Sequence, residues 1–121
     1  SERKKIVKLY RRLLSDLPIK FQILSSKNTS SHHLCVLKLN LKIIKKKYEK
    51  VFNEFRKRKL GINLHYLPIY GHLYYKKLKK YKKLKNTENY YKSAISIPVF
   101  PGLTKKQQFG ICKTIKKIIL K

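Results

Sequence analysis

Three short stretches of this chain have the pattern of β-strands, and no two of them are close enough to be joined by a tight hairpin. His33–Leu41 carries Val36, Leu37, Leu39 and Leu41 with Lys38 and Asn40 between them, a period near two that suits a strand with one wet face. Ile62–Leu67 runs into Pro68, and Ile95–Ile97 runs into Pro98. Proline has no N–H to give to a sheet ladder, so each strand ends there. The intervening stretches are helical or long. The expected fold class is α+β: a small antiparallel or mixed sheet with helices packed on one face, all within one domain over residues 1–121.

The helices follow from apolar spacing. Ile6, Tyr10, Leu13, Leu14 and Leu17 recur at helical intervals over Ser1–Asp16, and Pro18 stops that helix. Phe21–Leu24 is a short extended candidate, and the polar run Ser25–Ser31 reads as a loop. Lys45–Leu60 has the stripe Tyr48, Val51, Phe52, Phe55, and Gly61 stands where a left-handed cap is wanted. A short helix is expected within Tyr70–Leu84, and Asn86 or Thr87 can cap the next. Phe100–Leu103 is a turn. Thr104 and Gln107 have capping-box spacing ahead of a last helix with Gln108, Ile111, Cys112, Ile115, Ile118 and Ile119 on one face. The expected order is α-β-β-α-β-α-α-β-α.

Charge is the other strong signal. Thirty-two Lys and Arg oppose five Asp and Glu, a net charge of +27. One reading is a phosphate-bearing partner, since a basic surface attracts nucleic acid. The other is a codon-biased genome that writes lysine wherever a solvated charge will do: there are 27 Lys but only 5 Arg and a single alanine, Ala94. Nucleic-acid readers favour arginine, whose planar fork matches phosphate and guanine. Cys35 and Cys112 each sit alone in an apolar stretch and read as small core residues, which makes a reducing cytoplasm the default location. No apolar run approaches the ~20 residues that span a bilayer. The absence of methionine reads as a processed product, a fragment or an excerpt.

Most chemistry is excluded. Gly61, Gly71, Gly102 and Gly110 are isolated, so no phosphate loop can be built from them. The acids are scattered, and Glu49 and Glu54 lie on a cationic helix where pairing with lysine is the simpler role. No serine or cysteine stands in a nucleophile context. His32, His33, His65 and His72 have no metal-ligand spacing, so no metal site is expected. Tyr74–Lys85 interleaves aromatics with lysine. That composition suits a single-strand nucleic-acid platform, but Tyr74, Leu78, Tyr81 and Leu84 also fit the core face of an amphipathic helix, the favoured reading.

Four blocks in one order carry a resemblance. Gly61-Ile62 leads into His65-Tyr66 and Pro68, preceded by a helix ending at Lys59; Ser31 is followed by His33-Leu34; Asn86 leads through Tyr90-Tyr91-Lys92 to Ser96-Ile97-Pro98; and Ser96–Thr104 reads S-I-P-V-F-P-G-L-T. Together they resemble the C-terminal part of the DegT/DnrJ/StrS family, pyridoxal-phosphate-dependent nucleotide-sugar aminotransferases. The stretch from Tyr66 to Tyr70 with Tyr75–Leu78 is most similar to the pseudaminic acid branch of that family.

The resemblance implies that the chain is the C-terminal small domain of a fold-type I aminotransferase. The pyridoxal 5'-phosphate would be bound mainly by a large domain upstream, which also holds the Schiff-base lysine. None of the lysines here matches it, so no catalytic residue is assigned and the chain alone is expected to be inactive. The implied partners are a UDP-linked keto-sugar, glutamate as amino donor, and a second copy in a homodimer, with no specific nucleic acid and no membrane. The expected substrate-binding residues are His65, Tyr66, Tyr70 and His33. Imidazoles and phenols can donate hydrogen bonds to sugar hydroxyls and phosphate oxygens. His65 and Tyr66 are strand neighbours, so only one of them can face the pocket if the other is core. The alternative is a small basic nucleic-acid-binding protein.

Overall fold

The computed structural model describes residues 1–78 and 82–121. Four strands form one sheet: β1 (Ile19–Phe21), β2 (Cys35–Leu39), β3 (Asn63–Leu64) and β4 (Ala94–Ile97). Their spatial order is β1-β2-β4-β3 and every neighbouring pair is antiparallel. The helices are α1 (Glu2–Leu13), α2 (Leu41–Ile44), α3 (Tyr48–Lys57), α4 (Leu73–Lys76), α5 (Lys85–Tyr91) and α6 (Lys105–Ile119), with a 3-10 turn at Ile69–Gly71. The predicted order survives, with α2 and the 3-10 turn added.

Register decides which side chains make the core. Cys35 pairs with Ile97 and Leu37 with Ile95, so these four share one face of the sheet. Ile6, Val7, Tyr10 and Leu14 from the α1 side, Val51 and Phe55 from α3, and Cys112, Ile115, Ile118 and Ile119 from α6 close over that face. Each large apolar side chain buried there contributes about 1.5–3 kcal/mol. Polar bonds then fix where the helices sit. The Tyr10 hydroxyl donates to the Pro98 carbonyl at 3.0 Å and the Tyr48 hydroxyl donates to Ala94 O at 2.6 Å, pinning α1 and α3 to the two ends of β4. The buried Gln108 amide donates to Ile6 O at 3.0 Å and locks α6 to α1. Lys46 Nζ donates to Ile118 O at 2.6 Å, a cation at a helix C-terminus where free carbonyls favour one.

Several local expectations need correction. The first extended segment is Ile19–Phe21, not Phe21–Leu24; Ile19 aligns with Leu39, and the Gln22 carbonyl is taken by the Arg11 guanidinium. Leu41 leaves the β2 strand because Asn40 caps α2, its side chain accepting from Ile43 N–H. Asn86 and Thr87 lie inside the first turn of α5 rather than capping it. The expected pairing of Glu49 and Glu54 does not form: the ion pairs among the described residues are Lys92–Glu88 and Lys116–Asp16. At the other end the expectation holds, with both halves of the Thr104–Gln107 capping box in place.

The cap after α3 is the most instructive difference. Lys59, not Gly61, takes the left-handed conformation, with φ +53°. Leu60 N–H reaches back to Phe55 O at 3.2 Å, the six-to-one bond of a Schellman turn. A lysine pays a steric penalty in that conformation that glycine does not. Lys59→Gly is therefore expected to stabilise the chain by about 1 kcal/mol, read as a higher urea midpoint with an unchanged slope.

Candidate functional site

The β3 end of the sheet positions the His65–Tyr66 pair. β3 lies on the edge, held to β4 through Asn63↔Ser96 and Leu64↔Ile95. The chain leaves the ladder immediately afterwards, so strand alternation does not force the next two side chains onto opposite faces, and the expectation that only one of them reaches the pocket is corrected. His65 is only 5% exposed, whereas Tyr66 is 71% exposed. Their rings meet edge-on with centroids 4.7 Å apart and planes at 73°. Both line a cleft of about 440 Å³ whose other walls include Phe52 and Arg56 of α3, Ile62 and Asn63.

The electrostatics of His65 are unusual. Its Nε2 is buried and has no hydrogen-bond partner. Burial holds the imidazole pKa below its ordinary value, so the ring is neutral around pH 7. A buried polar atom without a partner is costly and rare in folded proteins.

The remaining expected site residues lie elsewhere. His33 is exposed at the approach to β2 and lines a different cleft of about 580 Å³ with Lys20, Lys38, Ser30, Ser31 and Tyr90. Leu34 borders both clefts. Tyr70 uses its hydroxyl within the fold: it donates to Glu88 Oε1 at 2.9 Å and accepts from Leu84 N–H at 3.3 Å. Burial and the bond to Glu88 raise the phenol pKa, and the same bond lowers that of Glu88. Arg56 and Asn63 are the cleft residues that sequence reading missed. The spacing of Phe52 and Arg56, one helical turn apart on α3, was the available signal.

Other chemistries find no support here. Burial pushes the Cys35 thiol up to about 12 and that of Cys112 to about 11, so neither is a nucleophile. Both are free and buried, as core residues would be. No cluster of three metal-ligating side chains exists among the described residues, and none of their helices is long and apolar enough to cross a membrane. The reading of Tyr74–Lys85 as an amphipathic helix with a core face is corrected. The helix there is only Leu73–Lys76, and Tyr74, Leu78 and Leu84 are exposed. Tyr81 lies outside the described residues.

Residues 1–116 match the model of the DegT/DnrJ/EryC1/StrS aminotransferase family. The chain belongs to that family. It is 33% identical over 73 residues to the UDP-4-amino-4,6-dideoxy-N-acetyl-beta-L-altrosamine transaminase of Campylobacter jejuni, covering 60% of this chain and 19% of the relative. The fold superposes on Helicobacter pylori PseC, an aminotransferase involved in the biosynthesis of pseudoaminic acid, with TM-score 0.86 and 26% identity over 98% of this chain and 32% of that one. The fold likeness extends further than the sequence likeness: DesV of S. venezuelae has TM-score 0.82 at 15% identity, covering 99% of this chain and 32% of that one. The family chain thus has the fold-type I small-domain architecture expected, and it spans about a fifth to a third of the length of these relatives. The nucleic-acid alternative gains no support from any of these matches.

Proposed function

We propose that residues 1–121 are the C-terminal small domain of an aminotransferase that acts on a UDP-linked keto-sugar, with glutamate as amino donor. The carrying observation is the family match together with the unpartnered imidazole of His65 at an open cleft, in the block that resembles the family's substrate wall. His65 and Tyr66 line that wall. His33 contributes from the neighbouring cleft across Leu34, while Tyr70, its hydroxyl taken up by Glu88 and Leu84 N–H, serves by tying down the segment beyond Pro68. The enzyme is a homodimer and works in the cytoplasm.

Pyridoxal phosphate would supply the electron sink for moving the amino group. The described residues do not fit that group by themselves. No described lysine is buried, and the two acids that are paired, Asp16 and Glu88, are held by Lys116 and by Tyr70 with Lys92. No buried lysine therefore stands opposite a carboxylate, as a Schiff-base lysine and a pyridine partner would require. The cofactor is assigned to a large domain upstream, and this chain alone is inactive.

The test is the reading frame upstream of Ser1, expressed whole and assayed for amino transfer from glutamate to UDP-keto-sugars. A cofactor-binding domain with turnover supports the proposal. A start codon shortly upstream with nothing else sinks it. Pyridoxal phosphate added to the 121-residue chain is expected to give no stoichiometric, single-site absorbance change.

A further inference from the structure

The segment that follows Tyr66 is held to the rest of the fold at few points. Pro68 is buried, but Leu67, Ile69, His72, Leu73 and Tyr74 are exposed. Internal contacts make its first half a stiff turn. Gly71 N–H donates to Pro68 O at 2.7 Å and His72 N–H to Ile69 O at 3.1 Å. Leu67 folds over Gly71, where a Cβ would lie 3.0 Å from its Cδ1. Among the described residues, both hydrogen bonds that tie Leu67–Leu78 to another element end on one atom, the Tyr70 hydroxyl oxygen. It donates to Glu88 Oε1 on α5 and accepts from Leu84 N–H at the start of that helix.

Glu88 is well placed to hold that hydroxyl. Five acids face 32 Lys and Arg in this chain, so every carboxylate has cations within reach of its charge. Glu88 nonetheless gives one oxygen to a neutral phenol at 2.9 Å. Its other oxygen pairs with Lys92, 3.4 Å away and one helical turn on, which fixes the orientation of the carboxylate. A hydrogen bond to an ionised acceptor is stronger than one between neutral groups. The helix beneath is itself anchored, because α5 runs through Ser93 into β4, an interior strand of the sheet.

Tyr66 stands between two anchors. Ahead of it β3 pairs with β4 through Leu64↔Ile95, and behind it, across the stiff turn, stands Tyr70. The Tyr66 ring is 71% exposed. So little packing leaves its rotamer and backbone freedom to be restrained from either side along the chain. We propose that Glu88 is a positioning residue: through the Tyr70 hydroxyl it fixes the turn from Leu67 to Gly71 and thereby holds the Tyr66 ring edge-on to His65 in the cleft wall. The consequence for substrate rests on the reading above; the positioning itself does not.

The test compares the 121-residue chain as parent, Glu88→Ala, Glu88→Gln, Tyr70→Phe and the double variant of Tyr70→Phe with Glu88→Ala. Glu49→Ala is the control, since it removes an equal charge from a carboxylate with no ion pair among the described residues. One readout is the NMR shift of the His65 ring protons, which the edge-on Tyr66 ring displaces. The other is trypsin cleavage after Lys76 and Lys77, measured against cleavage after Lys27 in the exposed loop before β2. Glu88→Ala and Tyr70→Phe are each expected to move the His65 shift in the same direction and to raise the cleavage ratio about fivefold. The double variant should do no more than either alone, because both remove one bond. Glu88→Gln keeps an oxygen acceptor and should recover part of both effects, and Glu49→Ala should change neither. A general loss of stability would raise cleavage at all sites alike and would not be rescued by glutamine. A His65 shift unmoved by Glu88→Ala, or additive effects in the double variant, would overturn the proposal and leave the substrate reading intact. In the full-length enzyme Glu88→Ala is expected to raise KM for the nucleotide-sugar about threefold with kcat little changed. A normal KM beside a displaced Tyr66 would overturn the assignment of Tyr66 to the substrate wall, while the positioning role of Glu88 would stand.

Discussion

Phe55→Ala is expected to cost about 3–5 kcal/mol, the range for removing a buried aromatic from a packed core. Phe55 is fully buried at the middle of the sheet-facing side of α3, within the same cluster as Leu37, Ile95 and Ile115. α3 is only ten residues long and packs against α6. A helix that short is marginal without tertiary contacts, so its anchor residue decides whether it stays docked. Small domains have total stabilities of about 5–15 kcal/mol, so the loss consumes a large share of the whole. The site suffers with the fold, because α3 carries Phe52 and Arg56 into the cleft. Urea denaturation followed by circular dichroism measures the effect. Phe55→Leu keeps most of the volume and is expected to cost far less, about 1 kcal/mol. An alanine variant as stable as the parent would mean that α3 is held by something other than this side chain.

How much of this was legible depends on the range of the interaction responsible. The long periodic elements were readable because their signals are local. The α6 stripe and the Thr104–Gln107 box needed only residues within one helix, and both stand as read. β2 and β4 announced themselves by alternation and by Pro98. The cap at Lys59 was not readable, since left-handed geometry there follows from how Leu60 returns to Phe55 and lysine has no preference for it. Two other facts about the site also needed the third dimension. Strand order places β4 between β2 and β3, so His33 and His65, one before β2 and one after β3, come to different clefts. The Tyr70–Glu88 bond joins residues 18 positions apart and has no signature in either neighbourhood. Alternation suggested that only one of His65 and Tyr66 would face the pocket; both lie beyond the end of β3, so their rings pack edge-on and line the same cleft, and which of them is buried was not readable either. That depends on α3 and the sheet edge closing over His65.

His65→Leu is expected to separate stability from function. The parent has a ring nitrogen buried without a partner, and that costs about 1–3 kcal/mol. Leucine has similar volume and no polar atom, so the variant should gain about 1 kcal/mol, a rise of about 4 °C in Tm by calorimetry. The pH dependence gives a second readout. Burial lowers the folded-state pKa of His65 below its ordinary value near 6.5. As pH falls through that value the unfolded chain takes the proton first, so stability contributed by neutral His65 is full above it and is lost in more acid solution. Replacing the imidazole removes this component, and the slope of Tm between about pH 7 and pH 5 should flatten. If the proposed function holds, the same substitution in the full-length enzyme should raise KM for the nucleotide-sugar about tenfold by removing one hydrogen-bonding group from the pocket. A less stable variant would show that Nε2 has a partner in the folded chain, and an unchanged KM would show that no ligand reaches it. Gain of stability with loss of affinity is the signature of a buried polar group kept for a ligand, because folding alone would favour the leucine.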